Sequence, residues 1–299
     1  MKRLEALNGG PLRYQPPEEP EASAAPVEQH IEPAAIIYRR EVTASRPLLP
    51  PAPTASTGPL EEAIPGIETV RAPYGTAYTI TTELGAFGEH WTPLRRAFPL
   101  AFDDEALRRR LLTRCQAEGI APEEVLFVDL ETTGLAHSPL FLIGVMLWDG
   151  DDFVIRQYLA RHYGEEAAVT ALFLDLACDK RLFVSFNGKS FDLPYVRTRA
   201  AACGIPCTLG AAHLDLLHEC RRAWKGTLPN CKLQTLEQHI CGRPPRVGDI
   251  PGAEIPDAYH AFVRTGHAGQ MAQIVRHNLM DLVTLAELML KLPAEESRP

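Results

Sequence analysis

The sequence predicts an α/β protein in which helices flank a mixed sheet. Three strand-like stretches, "VLFVDLETT", "LFLIGVMLW" and "FVIRQYLA", follow one another from residue 125, and the "DGD" between the last two is a hairpin signal. The helical stretch "GEEAAVTALFLDLACD" then leads to another buried strand, "RLFVSFNG", and the rest is mostly helical. This order indicates three antiparallel strands, then a helix, then a strand that lies beside the first. Antiparallel and parallel pairing are therefore expected in one sheet.

The chain is predicted to divide into three parts. Residues 1–62 form a disordered tail, because 12 of the 26 prolines fall in the first 65 residues and this composition buries too little apolar surface to fold. Residues 63–124 form an N-terminal extension of strands and a helix. Residues 125–293 form the main domain, which contains the mixed sheet.

Within the extension, the sequence predicts a strand pair followed by one helix. Alternating apolar residues between Ile67 and Glu83 indicate two short strands that turn at "PYG". The stretch "DDEALRRRLLTRCQAEGI" indicates a helix that is capped by Asp103 or Asp104 and stopped by Gly119.

Composition is typical of an ordinary globular protein, with 299 residues of which 45% are hydrophobic and 23% charged. Seven cysteines argue against a disulfide framework, no apolar run is long enough to cross a bilayer, and the N-terminus lacks a secretory core, so a cytoplasmic location is expected. The net charge of −8 opposes a polyanionic partner. However, ten Lys or Arg stand against four Asp or Glu between Arg181 and Arg246, which indicates either a basic surface or merely solvated helix faces.

Two carboxylates on one strand raise the first chemical question. In "FVDLETTGL", Asp129 and Glu131 lie two residues apart and therefore project from the same face of a strand. Like charges this close are costly unless a cation lies between them, and hard divalent ions such as Mg²⁺ take carboxylate oxygens. The alternative is a strand end whose acids simply face water.

Two further stretches carry polar residues at chemically useful positions. In "FNGKSFDLPYV", Asn187 ends a strand, Gly188 permits a tight turn and Asp192 lies near the first turn of a helix, where an acid also fits as a simple capping residue. In "RHNLMDLVTL", His277 and Asp281 share a helix face, although an ordinary surface pair has the same spacing.

Taken in this order, the three stretches resemble the motifs of the DEDD, or DnaQ-like, superfamily of 3′–5′ exonucleases. "FVDLETTGL", "SFNGKSFDLPYVRTR" and "RHNLMDLVTL" resemble in particular the YprB-type ribonuclease H-like domain, as does "HLDLLHECRRAWKGTLPNCKLQTLE" between the last two. The resemblance covers roughly residues 126–292. It implies an RNase H-like mixed sheet, with three antiparallel strands plus parallel strands.

The resemblance also implies roles for five side chains. Asp129, Glu131 and Asp281 ligate two Mg²⁺ or Mn²⁺ ions directly, and Asp192 holds the second ion directly or through water. His277 is the general base, a task that suits a group titrating near neutrality. One departure weakens this last role: members of the superfamily usually carry Tyr-x₃-Asp or His-x₄-Asp in the third motif, whereas this chain has His-x₃-Asp.

Substrate contacts are expected around the first two motifs. Two classes of group are involved, namely backbone amides or polar side chains that the resemblance implies, and basic side chains that suit phosphates. The first class is Thr132, Thr133, Asn187 and Ser190, of which Asn187 and Ser190 support either Asp192 or the substrate strand. The second class is Lys189, Arg197 and Lys232.

The predicted function is metal-dependent 3′–5′ exonucleolytic hydrolysis of single-stranded DNA or RNA ends. The alternatives are a catalytically weak or silent nucleic-acid-binding module with an RNase H fold, and an RNase H-like endonuclease. A metal-dependent glycosyltransferase would leave "NGKSFD" and "HNLMD" unexplained. The resemblance also suggests association with a helicase.

Overall fold

The computed structural model describes residues 58–134 and 138–293, and within them it confirms the predicted mixed sheet between helices. The predicted disordered tail lies outside the described residues except for its last five positions. The strands are β1 (Ile67–Arg71), β2 (Gly75–Glu83), β3 (Val125–Thr132), β4 (Leu140–Trp148), β5 (Phe153–Leu159), β6 (Leu182–Ser185) and β7 (Ala212–Asp215).

These seven strands form a single sheet in the order β1-β2-β5-β4-β3-β6-β7. Pairing is antiparallel from β1 through β3, whereas β3–β6 and β6–β7 are parallel. The predicted return of a strand beside β3 is therefore confirmed. Strand β7 was not predicted, because its four residues, "AHLD", are too few to show an alternating pattern.

Helices cover both faces of the sheet. Their bounds are α1 (Leu60–Ala63), α2 (Thr92–Ala101), α3 (Glu105–Cys115), α4 (Glu166–Ala177), α5 (Asp192–Ala202), α6 (Leu216–Trp224), α7 (Leu233–His239), α8 (Ile255–Thr265) and α9 (Gly269–Lys291). One core layer joins the sheet to α4, α5, α8 and the first turns of α9. The other joins it to α2, α3, α6, α7 and the rest of α9, so this last helix lies along the sheet and serves both layers.

The N-terminal extension is continuous with this sheet, because β1 pairs with β2 and β2 pairs with β5. The predicted cap is confirmed at Asp104, whose carboxylate accepts hydrogen bonds from the amides of Ala106 and Leu107. The predicted stop at Gly119 is wrong. Helix α3 ends at Cys115, since Gln116 takes a left-handed conformation with φ of 55° and breaks the helix earlier.

Helix α1 packs onto the main core. Leu60 is 3% exposed, and the amide of Ala268 donates to the carbonyl of Gly58 at 3.3 Å. The three-part division of the chain stays a prediction, but residues from 58 onward already belong to the packed structure. In the part of the chain that the structure describes, no helix combines the length and the hydropathy needed to span a bilayer.

Candidate active site

Strand β3 presents its two acids toward helix α9. Phe127 is buried in the core layer that holds most of α9, whereas Val128 and Leu130 are buried in the opposite layer. Because side chains alternate along a strand, Asp129 and Glu131 project on the Phe127 side. The pairing of β3 with β4 stays regular as far as Glu131 and shifts register immediately after it, so both acids are carried by a well-ordered central strand.

The carboxylate of Asp129 is tethered to α9 by a buried amide. The Nδ2 atom of Asn278 donates to Asp129 Oδ2 at 2.7 Å and to its carbonyl oxygen at 3.2 Å. Gln157 on β5 fixes the orientation of this amide, since its Nε2 donates to Asn278 Oδ1 at 2.8 Å and to the carbonyl of Val275 at 2.7 Å. Asn278 and Gln157 are both fully buried, and hydrogen bonds in such surroundings hold their partners firmly.

A glycine on β4 makes room for this tether. Gly144 is the cross-strand partner of Asp129, and a Cβ atom at Gly144 would overlap the side chain of Asn278, lying 2.6 Å from its Cγ. Real Cβ atoms do not approach this closely, so the helix can lie this near the sheet only because position 144 lacks a side chain.

Asp192 reaches the site from the turn between β6 and α5. Asn187, with φ of 68°, takes the left-handed position of this turn, and Gly188 is needed instead for space, because its Cβ would lie 2.6 Å from Asp192 Oδ2. Asp215 stabilises the turn by accepting hydrogen bonds from the amides of Asn187 (2.8 Å) and Lys189 (3.0 Å).

The carboxylate of Asp215 also caps helix α6 by accepting a hydrogen bond from the amide of Leu217 at 3.1 Å. It is buried close to Asp192, where its charge acts on that carboxyl group.

Helix α9 carries His277 and Asp281 on one face, as their spacing predicts. The Nδ1 atom of His277 lies 3.0 Å from both carboxylate oxygens of Asp249, and its Nε2 lies 3.5 Å from Asp281 Oδ2. Arg246 donates from Nη2 to Asp281 Oδ1 at 2.6 Å. Burial lowers the pKa of His277, but the hydrogen bond to Asp249 and the charge of Asp281 outweigh it, so the net pKa is raised.

The acids of the three motifs share one electrostatic environment. The pKa of Asp129 is raised well above its usual range by burial and then by the charges of Asp281, Glu131 and Asp192. Burial, Asp281 and Asp192 likewise raise the pKa of Glu131. Burial, followed by the charge of Asp215, raises the pKa of Asp192 to about 7. Asp129 and Glu131 thus lie within Coulombic reach of Asp192 and of Asp281.

This donor set has the chemistry of a divalent-cation site. Hard cations prefer carboxylate oxygens, and a positive charge among these acids would relieve the repulsion that raises their pKa values. Within residues 58–134 and 138–293, no three His, Cys, Asp or Glu side chains converge tightly enough to hold an ion as they stand. The donors are therefore of the right kind and in the same neighbourhood, but their oxygens are not gathered around one point.

The residues predicted to contact substrate are placed more variously. The amide and hydroxyl of Thr133 are both bonded to the carbonyl of Pro139, and the hydroxyl of Thr132 donates to the carbonyl of Gly134. Both threonines therefore shape the end of β3. Lys189 and Ser190 are exposed in the turn that leads to Asp192.

Arg197 and Lys232 lie on different elements. Arg197 is exposed on α5 and donates to the carbonyl of Leu209 at 3.1 Å. Lys232 is exposed at the residue that precedes α7.

Four residues of this site were not predicted: Asn278, Gln157, Asp249 and Arg246. Asn278 stands beside His277 in the third motif and could have been noticed as a polar residue within an otherwise apolar helix stretch. Gln157 lies within the predicted strand β5, and Arg246 and Asp249 lie in a segment without a recognisable pattern. Only the tertiary structure brings these three residues to the acids.

Comparison with known proteins shows the superfamily to which this chain belongs. Residues 126–292 match the family model of the RNase_H superfamily, and the chain belongs to that superfamily, whose fold is of the nuclease type. It is 33% identical over 177 residues to "Uncharacterized protein YprB" of Bacillus subtilis (strain 168), a match that covers 58% of this chain and 42% of that relative. The structure is also similar to a family B DNA polymerase from the archaeon Pyrobaculum calidifontis, with a TM-score of 0.46 and 22% identity over 59% of this chain and 25% of the polymerase.

Proposed function

We propose that this protein is a metal-dependent 3′–5′ exonuclease that hydrolyses phosphodiester bonds at single-stranded nucleic acid ends. The observation that carries the proposal is that four carboxylates from three separated motifs lie in one neighbourhood with a histidine, on a nuclease-type fold. The RNase H-like fold itself implies a nucleic acid as the binding partner. Association with a helicase stays a prediction, since no contact described here bears on it.

In this proposal, Asp129, Glu131, Asp192 and Asp281 hold two Mg²⁺ or Mn²⁺ ions. Bound ions of this kind make a water molecule more acidic and offset the negative charge on the departing oxygen. The hydrogen bond from Asn278 engages Oδ2 of Asp129 and so fixes the orientation of the carboxylate, while Oδ1 takes no part in that bond. The side chain therefore need not be ordered when the ion binds, which lowers the entropic cost of ligation.

His277 is suited to accept a proton from the attacking water. Asp249 lies at hydrogen-bonding distance from Nδ1 and so favours the neutral tautomer that carries its proton there. The lone pair of that tautomer is on Nε2, which faces Asp281 at the proposed metal site. The contact with Asp249 thus supports the proposed base role of His277 despite the His-x₃-Asp spacing.

Hydrolysis of 5′-labelled single strands tests this proposal. DNA and RNA oligonucleotides are incubated with the protein in Mg²⁺, in Mn²⁺ and in EDTA, and we expect a ladder of products shortened from the 3′ end that depends on the metal. Asp129→Asn should retain the fold and lose at least about a hundredfold in rate, equivalent to about 3 kcal/mol of barrier.

Two alternatives predict different products. Cuts within a circular single strand would identify an endonuclease and refute the exonuclease assignment. Metal-independent binding of the oligonucleotides without any cleavage would identify a silent binding module.

A further inference from the structure

A buried arginine sits directly against the candidate metal site. Arg246 donates from Nη2 to Asp281 Oδ1 at 2.6 Å and contacts Glu237 Oε2 through Nε and Nη2 at 2.8 and 2.7 Å. Its Nη1 lies 3.7 Å from Asp249, and its side chain is only 3% exposed. Burial lowers the pKa of this guanidinium, but the charges of Asp281 and Glu237 outweigh burial and raise the pKa, so the group stays charged.

A second buried arginine, Arg243, shares the carboxylate of Glu237 with Arg246. Arg243 is fully buried, with its Nη1 3.2 Å from Glu237 Oε1 and its Nη2 2.9 Å from Glu287 Oε2. The same guanidinium donates to the hydroxyl of Thr284 on α9. Glu237 therefore lies between two arginines. Movement of Arg246 toward solvent would deprive the buried carboxylate of Glu237 of one of its two cationic partners, which is unfavourable.

We propose that Arg246 is a resident counter-cation that weakens the binding of divalent ions at Asp281. This inference rests on the proposed function, because Asp281 belongs to the ligand set named there. Arg246 neutralises Asp281 before any ion arrives, so an ion that takes Asp281 as a ligand must share it with a fixed positive charge. Like charges in a protein interior repel strongly, and the repulsion is not relieved by movement of the buried side chain.

A consequence concerns the order in which charges enter the site. A phosphate brings negative charge that offsets both the ion and Arg246. The ion nearest Asp281 is therefore held weakly in the free protein and more tightly once a phosphodiester is present. This ion then belongs to the complex with nucleic acid rather than to the resting protein.

Titration with Mn²⁺ in the absence of nucleic acid tests the inference without relying on activity. Binding is measured on the full chain by calorimetry and by the electron paramagnetic resonance signal of free Mn²⁺. Arg246→Gln should tighten the weakest Mn²⁺ site by about tenfold or more, the scale expected when one fixed charge near a divalent ion is removed. Arg246→Lys retains the charge and should stay within about threefold of the wild type.

Two further variants make the titration decisive. Arg109→Gln removes an exposed arginine that pairs with Glu105 on a surface helix, and it should leave Mn²⁺ binding unchanged. If Arg246→Gln does not fold, Glu237→Gln/Arg246→Gln removes the buried pair together and should still tighten Mn²⁺ binding.

The possible outcomes separate this inference from the proposed function. Equal or weaker Mn²⁺ binding by a folded variant that lacks Arg246 would overturn the inference alone. Tighter binding by that variant, with no hydrolysis of nucleic acid by the wild type, would overturn the proposed function and support the inference. If neither protein binds Mn²⁺, both are overturned.

Discussion

Replacement of Asp192 by asparagine should stabilise the metal-free protein at alkaline pH. Burial and the charge of Asp215 raise the pKa of Asp192 to about 7, and an unfolded chain would return the pKa to its ordinary value of 3.8. The stability linked to a carboxyl group whose pKa is raised on folding is fully present below the unfolded pKa. It falls as pH rises from the unfolded pKa through the folded pKa, because over that interval the unfolded state ionises more readily. Asp192→Asn cannot ionise and should not suffer that loss.

The size of the effect follows from the difference between the two pKa values. A difference of roughly three pKa units lowers the stability of the wild-type protein by about 4 kcal/mol at pH 8, where the Asp192 carboxyl group ionises in both the folded and the unfolded state. At pH 5 only the unfolded state ionises, and the loss of stability is about 2 kcal/mol. The stability difference between variant and wild type should therefore grow by about 2 kcal/mol from pH 5 to pH 8.

Urea unfolding in EDTA at both pH values measures this growth. Because the difference is compared between two pH values, any fixed cost of replacing an oxygen by an amide cancels. Asp103→Asn, at an exposed position, is the matched control and should show no such growth. A difference for Asp192→Asn that is the same at pH 5 and pH 8, or that shrinks at pH 8, would refute the electrostatic account of this carboxyl group.

Three further predictions concern His277, Gly144 and the N-terminal segment. His277→Ala should lower the hydrolysis rate by about 10²- to 10⁴-fold and flatten the acidic limb of the pH–rate profile. Asp249→Asn should move that limb to lower pH, because the interaction that raises the pKa of His277 is lost. An acidic limb that is unchanged in both variants would exclude His277 from proton transfer. Gly144→Ala should lower the free energy of unfolding, measured in urea, by about 1–3 kcal/mol because the new methyl group displaces Asn278. Gly144→Ala/Asn278→Ala should recover part of that stability. Equal losses in the two proteins would contradict the steric account. A chain that starts at Gly58 should fold and cleave nucleic acid like the full protein, and a loss of activity in the folded, shortened chain would place the preceding segment in the site.

The sheet could be predicted because its signals are local. Strands β3, β4 and β5 are long apolar runs separated by turn residues, and the observed strands follow those runs closely. Strand β7 escaped prediction because pairing with β6, rather than any pattern in its own four residues, makes it a strand. The end of α3 was misplaced for a related reason, since Gln116 is not a residue that favours the left-handed conformation it takes there.

The acids of the site could be predicted because their spacing reports a shared face. Asp129 and Glu131 are two apart on a strand, and His277 and Asp281 are four apart on a helix, so each pair is visible within its own element. The partners that orient these groups are not local. Arg246 and Asp249 lie in an irregular segment between α7 and α8, where no periodicity indicates which way a side chain points.

The close approach of α9 to the sheet couples two positions that lie far apart in the chain. Side chains at 144 and 278 compete for one volume, so a larger residue at the first position calls for a smaller one at the second. That exchange would remove the amide that holds Asp129. The site would then lose the orientation of one acid even though all four acids were still present in the sequence.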